Sequence, residues 1–287
     1  MEIVRIGSRE SRLAVLQSEL VMEAIRALCP AVRLELVTMK TTGDRILDRT
    51  LDQVGGKGLF VKELDAALLE GRVDLTVHSL KDLPMEVQPQ LPVVAFPKRG
   101  DPRDALVLPA GETSWDRSKP VGCASLRRKL QLERLFPDIE VRPVRGNVLT
   151  RLEKLDRGEF GALVLAAAGL ERLGLAGRIA RYFTPEELLP AAGQGILAVQ
   201  VREGTDYPFL SGLDDSEARA CALAERAFVA ALEGGCSSPV AAYAVLEGET
   251  LTLTGMDEVG NKAALSAPRS EAEELGRTLA RRMRGGS

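Results

Sequence analysis

The sequence predicts an α/β protein of two lobes built on mixed, mostly parallel sheets, followed by a small C-terminal α+β domain. Three observations carry this reading. Strand-like and helix-like stretches alternate through most of the chain, the pattern that places helices on both faces of a sheet. Two turn-rich segments interrupt the alternation, Lys98-Arg99-Gly100-Asp101-Pro102-Arg103 and Pro190-Ala191-Ala192-Gly193-Gln194-Gly195. Two such crossings make a hinged pair of lobes with a cleft between. After Asp214 the alternation stops. We therefore expect a first lobe from 1–98 with 191–213, a second from 99–190, and a third domain from 214–287.

Each element follows from local pattern. Residues 3–7 are an apolar strand. Leu13, Leu16, Leu20, Ala24 and Ala27 then recur at helical spacing until Pro30, which ends the helix. Val32, Leu34, Leu36 and Thr38 alternate along a second strand. Residues 41–54 are polar and irregular, 59–69 helical until Gly71, and 73–77 a short buried strand. Another strand covers 91–96. The second lobe has strands predicted at 105–108, 121–124, 139–144 and 162–166, with helices over 126–135 and 148–155. The strand at 196–201 returns to the first sheet. In the third domain, 216–232 is a helix with Ser216 as N-cap and Glu217 in its first turn. Strands near 240–246, 250–256 and 263–267 follow, then a charged helix over 270–284.

Composition narrows the function. A hydrophobic content of 45% in 287 residues fits a soluble protein with a sizeable core. No run approaches the ~18 apolar residues of a membrane helix. The N-terminus enters a strand without a basic n-region or cleavage site. Four cysteines without a CxxC pair suggest neither a disulfide framework nor a zinc site. These features predict a cytoplasmic protein with reduced thiols. A net charge of -3 and 4% aromatics argue against a nucleic-acid binder. The single histidine, His78, is the only residue around which a Cys-His or Ser-His-Asp site could form, and it excludes metal centres needing several imidazoles.

Four polar loops recur where a strand hands over to a helix: Gly7-Ser8-Arg9-Glu10-Ser11-Arg12, Gly55-Gly56-Lys57-Gly58, Ser125-Leu126-Arg127-Arg128, and Arg145-Gly146-Asn147-Val148-Leu149-Thr150-Arg151. In open α/β sheets ligands sit at the carboxyl ends of strands, where helix N-termini offer free N–H groups. Arginine adds a planar fork matched to carboxylate or phosphate. Together the loops describe a pocket for a small polyanion. The lysine loop is not a Walker A motif, because Leu51 stands where its first glycine belongs and Gly58 where Ser or Thr is required.

Val77-His78-Ser79-Leu80-Lys81-Asp82-Leu83-Pro84 ends a buried strand in polar groups. Asp82 is either a surface partner of Lys81 or a carboxylate aimed into the cleft to stabilise a developing cation. His78 reads best as a structural histidine. Cys29 and Cys221 suit the core, and Cys123 precedes the Ser125 loop. Cys236 stands apart in Glu233-Gly234-Gly235-Cys236-Ser237-Ser238. It is either incidentally exposed or an attachment point needing reach rather than a catalytic base.

These motifs resemble one family closely, porphobilinogen deaminase, also called hydroxymethylbilane synthase. The resemblance runs from Ile6 to beyond Cys236 and is carried by Val54-Gly55-Gly56-Lys57-Gly58-Leu59-Phe60, Val77-His78-Ser79-Leu80-Lys81-Asp82, Ser125-Leu126-Arg127-Arg128, Arg145-Gly146-Asn147-Val148, Leu189-Pro190-Ala191-Ala192-Gly193-Gln194-Gly195 and Glu233-Gly234-Gly235-Cys236. It implies two lobes like those of a periplasmic binding protein and a third, cofactor-bearing domain. It also implies a transferase of haem biosynthesis that joins four porphobilinogen molecules head to tail with loss of ammonia. Hydrolysis then releases hydroxymethylbilane. The implied cofactor is a dipyrromethane held by a thioether at Cys236, with no metal.

By the same resemblance Asp82 is catalytic, and it binds the cofactor together with Ser79, Lys81, Ser125, Arg127 and Arg128. Arg9, Ser11, Arg145, Arg151 and Gln194 bind the incoming substrate, while Lys57 and Phe60 sit on a mobile loop. The family further implies a monomer, and composition and hydropathy predict no nucleic-acid or membrane partners. Several residues depart from its usual pattern: Arg12 replaces a proline, Cys123-Ala124 replaces Thr-Ser, and Gln53 replaces a lysine. The two lobes alone also fit a non-catalytic binder of a small polycarboxylate, a reading that leaves Cys236 without a role.

Overall fold

The computed structural model describes residues 3–45, 61–235 and 238–285. Lys57, Phe60 and Cys236 therefore lie outside the described residues, as does the start of the helix expected from 59. Among the described residues no helix is long and apolar enough to cross a membrane.

The first sheet has the order β2-β1-β3-β10-β4, with β1 at Ile3–Arg9, β2 at Arg33–Met39, β3 at Leu75–Ser79, β4 at Val93–Ala95 and β10 at Leu197–Val201. β1 runs parallel to β2 and β3, while β10 lies antiparallel between β3 and β4. The second sheet repeats the plan as β7-β6-β8-β5-β9. Its strands are β5 (Asp104–Val107), β6 (Val121–Cys123), β7 (Val141–Pro143), β8 (Ala162–Ala166) and β9 (Ile179–Tyr182). There too two pairings are parallel, and the two made by β5 are antiparallel. The antiparallel strands β5 and β10 are the ones that follow a crossing between lobes, so each enters its new sheet from the opposite end.

Helices cover these sheets where the apolar periodicity demands it. α1 (Arg12–Leu28) buries Ala14, Val21, Met22 and Ile25, and the Ser11 hydroxyl accepts from Ala14 N as its N-cap. α2 (Lys62–Leu69), α3 (Leu126–Leu135), α4 (Val148–Asp156) and the short α5 (Ala167–Arg172) follow. Neither α5 nor β9 was expected from the sequence.

The C-terminal module packs α6 (Ser216–Ala231) and α7 (Ala272–Met283) on the antiparallel sheet β11-β12-β13. Its strands are Ala241–Glu247, Thr250–Met256 and Lys262–Pro268. The N-cap of α6 is Asp215, whose carboxylate accepts from Ala218 N at 2.8 Å, rather than the expected Ser216. Asp is at least as good a cap as Ser, and this choice adds one residue to the helix. The core of this module is continuous with that of the first lobe, because Phe228 and Leu253 share a buried cluster with Leu80, Phe96 and Ile196.

The two crossing segments lie side by side. Gly100 N donates to Gly195 O at 3.1 Å. Gly195 has φ +89°, and a Cβ there would sit 2.6 Å from Gly100 O, so only glycine fits.

Candidate active site

The strand ends bring together the segments that follow β3, β6 and β7, whereas Gly55-Gly56-Lys57-Gly58 lies outside the described residues. After β3 the chain turns through a single 3-10 turn, Leu80–Asp82, which sets Lys81 and Asp82 at the sheet's edge. After β6, Ser125 takes an extended conformation at the start of α3 without using its hydroxyl as a cap. After β7, Asn147 caps α4 by accepting from Thr150 N at 3.0 Å. Between the lobes these elements line one cavity. Gln17, Ser79 and Lys81 contribute from the first lobe, and Arg128, Arg151 and Arg172 from the second.

The cavity is strongly cationic. Burial, with Arg128 beside it, pushes the Lys81 ammonium down to about 8, although Asp82 and Asp104 act to raise it. Burial and the neighbouring Arg128 and Arg145 push Arg151 down to about 10, again opposed by Asp82. The Asp82 carboxylate thus acts on cations from both lobes. The Nε of Arg151 donates to Gly146 O at 2.8 Å, which holds the fork across the first turn of α4.

Arg127 and Arg128 occupy the first turn of α3 and are 3% and 6% exposed. Two buried guanidiniums at the positive end of a helix require a counter-charge. Asp104, the fully buried first residue of β5, supplies it. Its Oδ1 accepts from Arg128 Nε at 3.0 Å and Nη2 at 2.7 Å, and its Oδ2 lies 2.8 Å from Arg127 Nη1. Burial pushes the Asp104 carboxyl up, but the two guanidiniums outweigh it and hold it well below the usual carboxylate range. Nothing in local spacing marks this acid. Its only sign is a charge at the threshold of the apolar strand 105–108.

Other expected residues fall where their packing sends them. Gln194 is fully buried and its amide bonds within the protein: its Oε1 accepts from Lys81 Nζ at 3.2 Å, and its Nε2 donates to Pro102 O at 2.7 Å and Asp104 Oδ1 at 2.9 Å. Ser11 is the cap of α1. The Ser79 hydroxyl pairs with the amide of Gln17. Arg9 and Arg145 are half-buried, and their charges act on His78 and Arg151 respectively. His78 is a core residue 2.9 Å from Thr76 Oγ1, and burial followed by the Arg9 charge pushes it down to about 4, so it is neutral at neutral pH. Cys123 is 3% exposed, and burial pushes its thiol up.

Two residues that the sequence reading missed belong to the cavity, Gln17 and Arg172. Arg172 Nη2 donates to Gly195 O at 2.6 Å and so links α5 to the second crossing. Near residue 236 the described flanks are tied by Ser238, whose hydroxyl accepts from Gly235 N and donates to Gly235 O, each at 2.9 Å.

The donor set fits a molecule bearing several carboxylates. Lys81, Arg128, Arg151 and Arg172 share one cavity. In addition, Arg127 Nε is a buried donor with no hydrogen-bond partner among the described residues.

Residues 4–207 match the family described as porphobilinogen deaminase, dipyromethane cofactor binding domain, and residues 219–285 match porphobilinogen deaminase, C-terminal domain. A porphobilinogen deaminase of Alkaliphilus oremlandii is 57% identical over 286 residues, covering 98% of this chain and 97% of the relative. That of Acetivibrio thermocellus is 54% identical over 99% of both chains. That of Chromobacterium violaceum is 47% identical over 99% of this chain and 94% of its own.

Proposed function

The chain belongs to the porphobilinogen deaminase family, and from that membership we infer the roles of its residues. The enzyme joins four porphobilinogen molecules head to tail, releasing one ammonia at each addition, and hydrolysis frees hydroxymethylbilane. Its cofactor is a dipyrromethane, which when bound supplies the primer to which the first substrate unit is joined. Each porphobilinogen brings an acetate and a propionate, so the chain gains two negative charges per ring.

Lys81, Arg127 and Arg128, with the hydroxyls of Ser79 and Ser125, hold cofactor carboxylates. Arg9, Arg145 and Arg151, with Ser11, hold those of the incoming ring. Arg172 extends the same cationic wall. Gln194 supports the site from beneath instead of touching substrate. Loss of ammonia from porphobilinogen leaves an electron-poor azafulvene, cationic when protonated. Asp82 stabilises that charge and accepts from pyrrole N–H groups in a cleft of low dielectric. Cys236 carries the thioether. The three-part division at 98/99, 190/191 and 213/214 belongs to this reading, as does a monomer working in the cytoplasm without nucleic-acid or membrane partners. The carrying observation is the convergence of Lys81, Arg128, Arg151 and Arg172 on one interlobe cavity under the charge of Asp82.

Intact-mass measurement on the purified chain tests it. A two-pyrrole adduct should be present on the wild type and absent from Cys236→Ser, which should also release no ammonia from porphobilinogen. A fully active wild type without the adduct would overturn the assignment of Cys236.

A further inference from the structure

We propose that Asp104 is a positioning residue for the transferase reaction: its buried carboxylate anchors the cationic groups of both lobes in one register. This inference rests on the reading above that Lys81, Arg127 and Arg128 hold cofactor carboxylates.

The geometry is a continuous polar chain across the hinge. Lys81, on the turn after β3 in the first lobe, donates to Gln194 Oε1 at 3.2 Å. Gln194, on the second crossing, donates to Asp104 Oδ1 at 2.9 Å. Asp104, directly after the first crossing, accepts twice from Arg128 and pairs with Arg127 at 2.8 Å, both on α3 of the second lobe. Each guanidinium has a second anchor that fixes its plane. Arg127 Nη1 donates to Leu189 O at 2.6 Å, and Arg128 Nη1 to Val164 O at 3.2 Å.

A single carboxylate facing three cations leaves the group net positive, so attraction for a polycarboxylate survives while the forks are held in advance of binding. Such preorganisation removes the cost of ordering long side chains when ligand arrives. Asp104 follows the first crossing directly and Gln194 lies on the second, so their contact couples the arrangement of the crossings to the spacing between Lys81 and the arginine pair. The charges facing Lys81 are Arg127 and Arg128 from α3, Asp82 from its own turn and Asp104 from β5. Among these Asp104 helps to keep Lys81 protonated.

The test compares wild type, Asp104→Asn and Gln194→Leu by intact mass, thermal unfolding, steady-state turnover of porphobilinogen and its pH profile. Asp104→Asn keeps the size of the side chain but puts an N–H2 where an oxygen faced an arginine, so one fork loses its carboxylate contact and keeps only its carbonyl anchor. We expect kcat per cofactor-bearing chain to fall about 10²-fold, the loss typical of displacing a catalytic group by about 1 Å. KM should stay within about 3-fold of wild type, because Arg151 is anchored on Gly146 O and, among the described residues, none of the substrate-holding arginines bonds to Asp104. The basic limb of the pH profile should move to lower pH. A residue serving only stability would lower the unfolding temperature yet leave kcat per cofactor-bearing chain and the basic limb in place, and that result overturns the proposal. If Asp104→Asn does not fold, Gln194→Leu decides: it leaves the Asp104–arginine contacts in place and removes the amide that joins Asp104 to Lys81, together with its bond to Pro102 O, and an unchanged kcat and basic limb refute the inference. A wild type lacking the adduct and releasing no ammonia would instead refute the functional reading.

Discussion

Replacing Glu225 with alanine tests the junction where the C-terminal module meets both crossings. Glu225 lies on α6 with 0% exposure. Its Oε1 accepts from Arg99 Nη1 at 2.6 Å and from Ala244 N at 2.8 Å, and its Oε2 accepts from Gly193 N at 2.7 Å. Arg99 comes from the first crossing and Gly193 from the second, so one carboxylate ties three segments. Arg99 Nε also donates to Gln194 O at 2.9 Å. Removing one partner of a buried ion pair costs about 3–5 kcal/mol. Leaving a buried backbone N–H without an acceptor costs about 1–3 kcal/mol, and two are left here. These terms overlap, so we take about 5 kcal/mol as the floor, against a typical domain stability of about 5–15 kcal/mol. At about 2–4 °C per kcal/mol the unfolding temperature should fall by about 10 °C or more. Glu225→Gln, which retains one acceptor oxygen, should fall between. Thermal unfolding followed by circular dichroism and by limited proteolysis reads both the loss and the release of the module. An alanine variant unfolding within about 2 °C of wild type would show that the buried pair does not hold the junction.

Three further outcomes follow from the same geometry. Asp82→Ala should unfold like wild type yet lose about 10²–10³ in kcat, the usual loss on removing one electrostatic stabiliser of a transition state; near-normal turnover of porphobilinogen refutes the role. Because Lys81 is pushed down to about 8, it is charged below that pH and neutral above it, so activity should decline as pH rises through about 8. A pH profile flat to 10 would show that its charge is not needed. Gly195→Ala should destabilise by more than about 2 kcal/mol, through a left-handed φ and a Cβ 2.6 Å from Gly100 O, and a urea midpoint unmoved from wild type would refute the close approach.

Most strands and the longer helices were legible because burial selects their residues: β3 and β10 are buried along almost their whole length and are rich in Leu, Val and Ala, and α1 repeats its buried face every turn. β9 escaped because it is an edge strand that exposes Ala180 and Arg181 and carries no alternation. The direction of β5 and β10 was not legible either, since no residue within a strand encodes whether its neighbour was entered from above or below. The candidate site divides along the same line. The polar loops show themselves because strand ends and helix caps are local, as with Ser11 and Asn147. Asp104 does not, because its partners lie 24 residues away at Arg128 and 90 residues away at Gln194. A sequence says that a loop carries two arginines; it cannot say whether they face solvent, ligand or an internal acid. For Arg127 and Arg128 the last is the case, and this changes what the loop can do. Forks already gripped by a buried carboxylate do not search for a ligand. Under the proposed function they present it with donors already fixed by Asp104, Leu189 O and Val164 O.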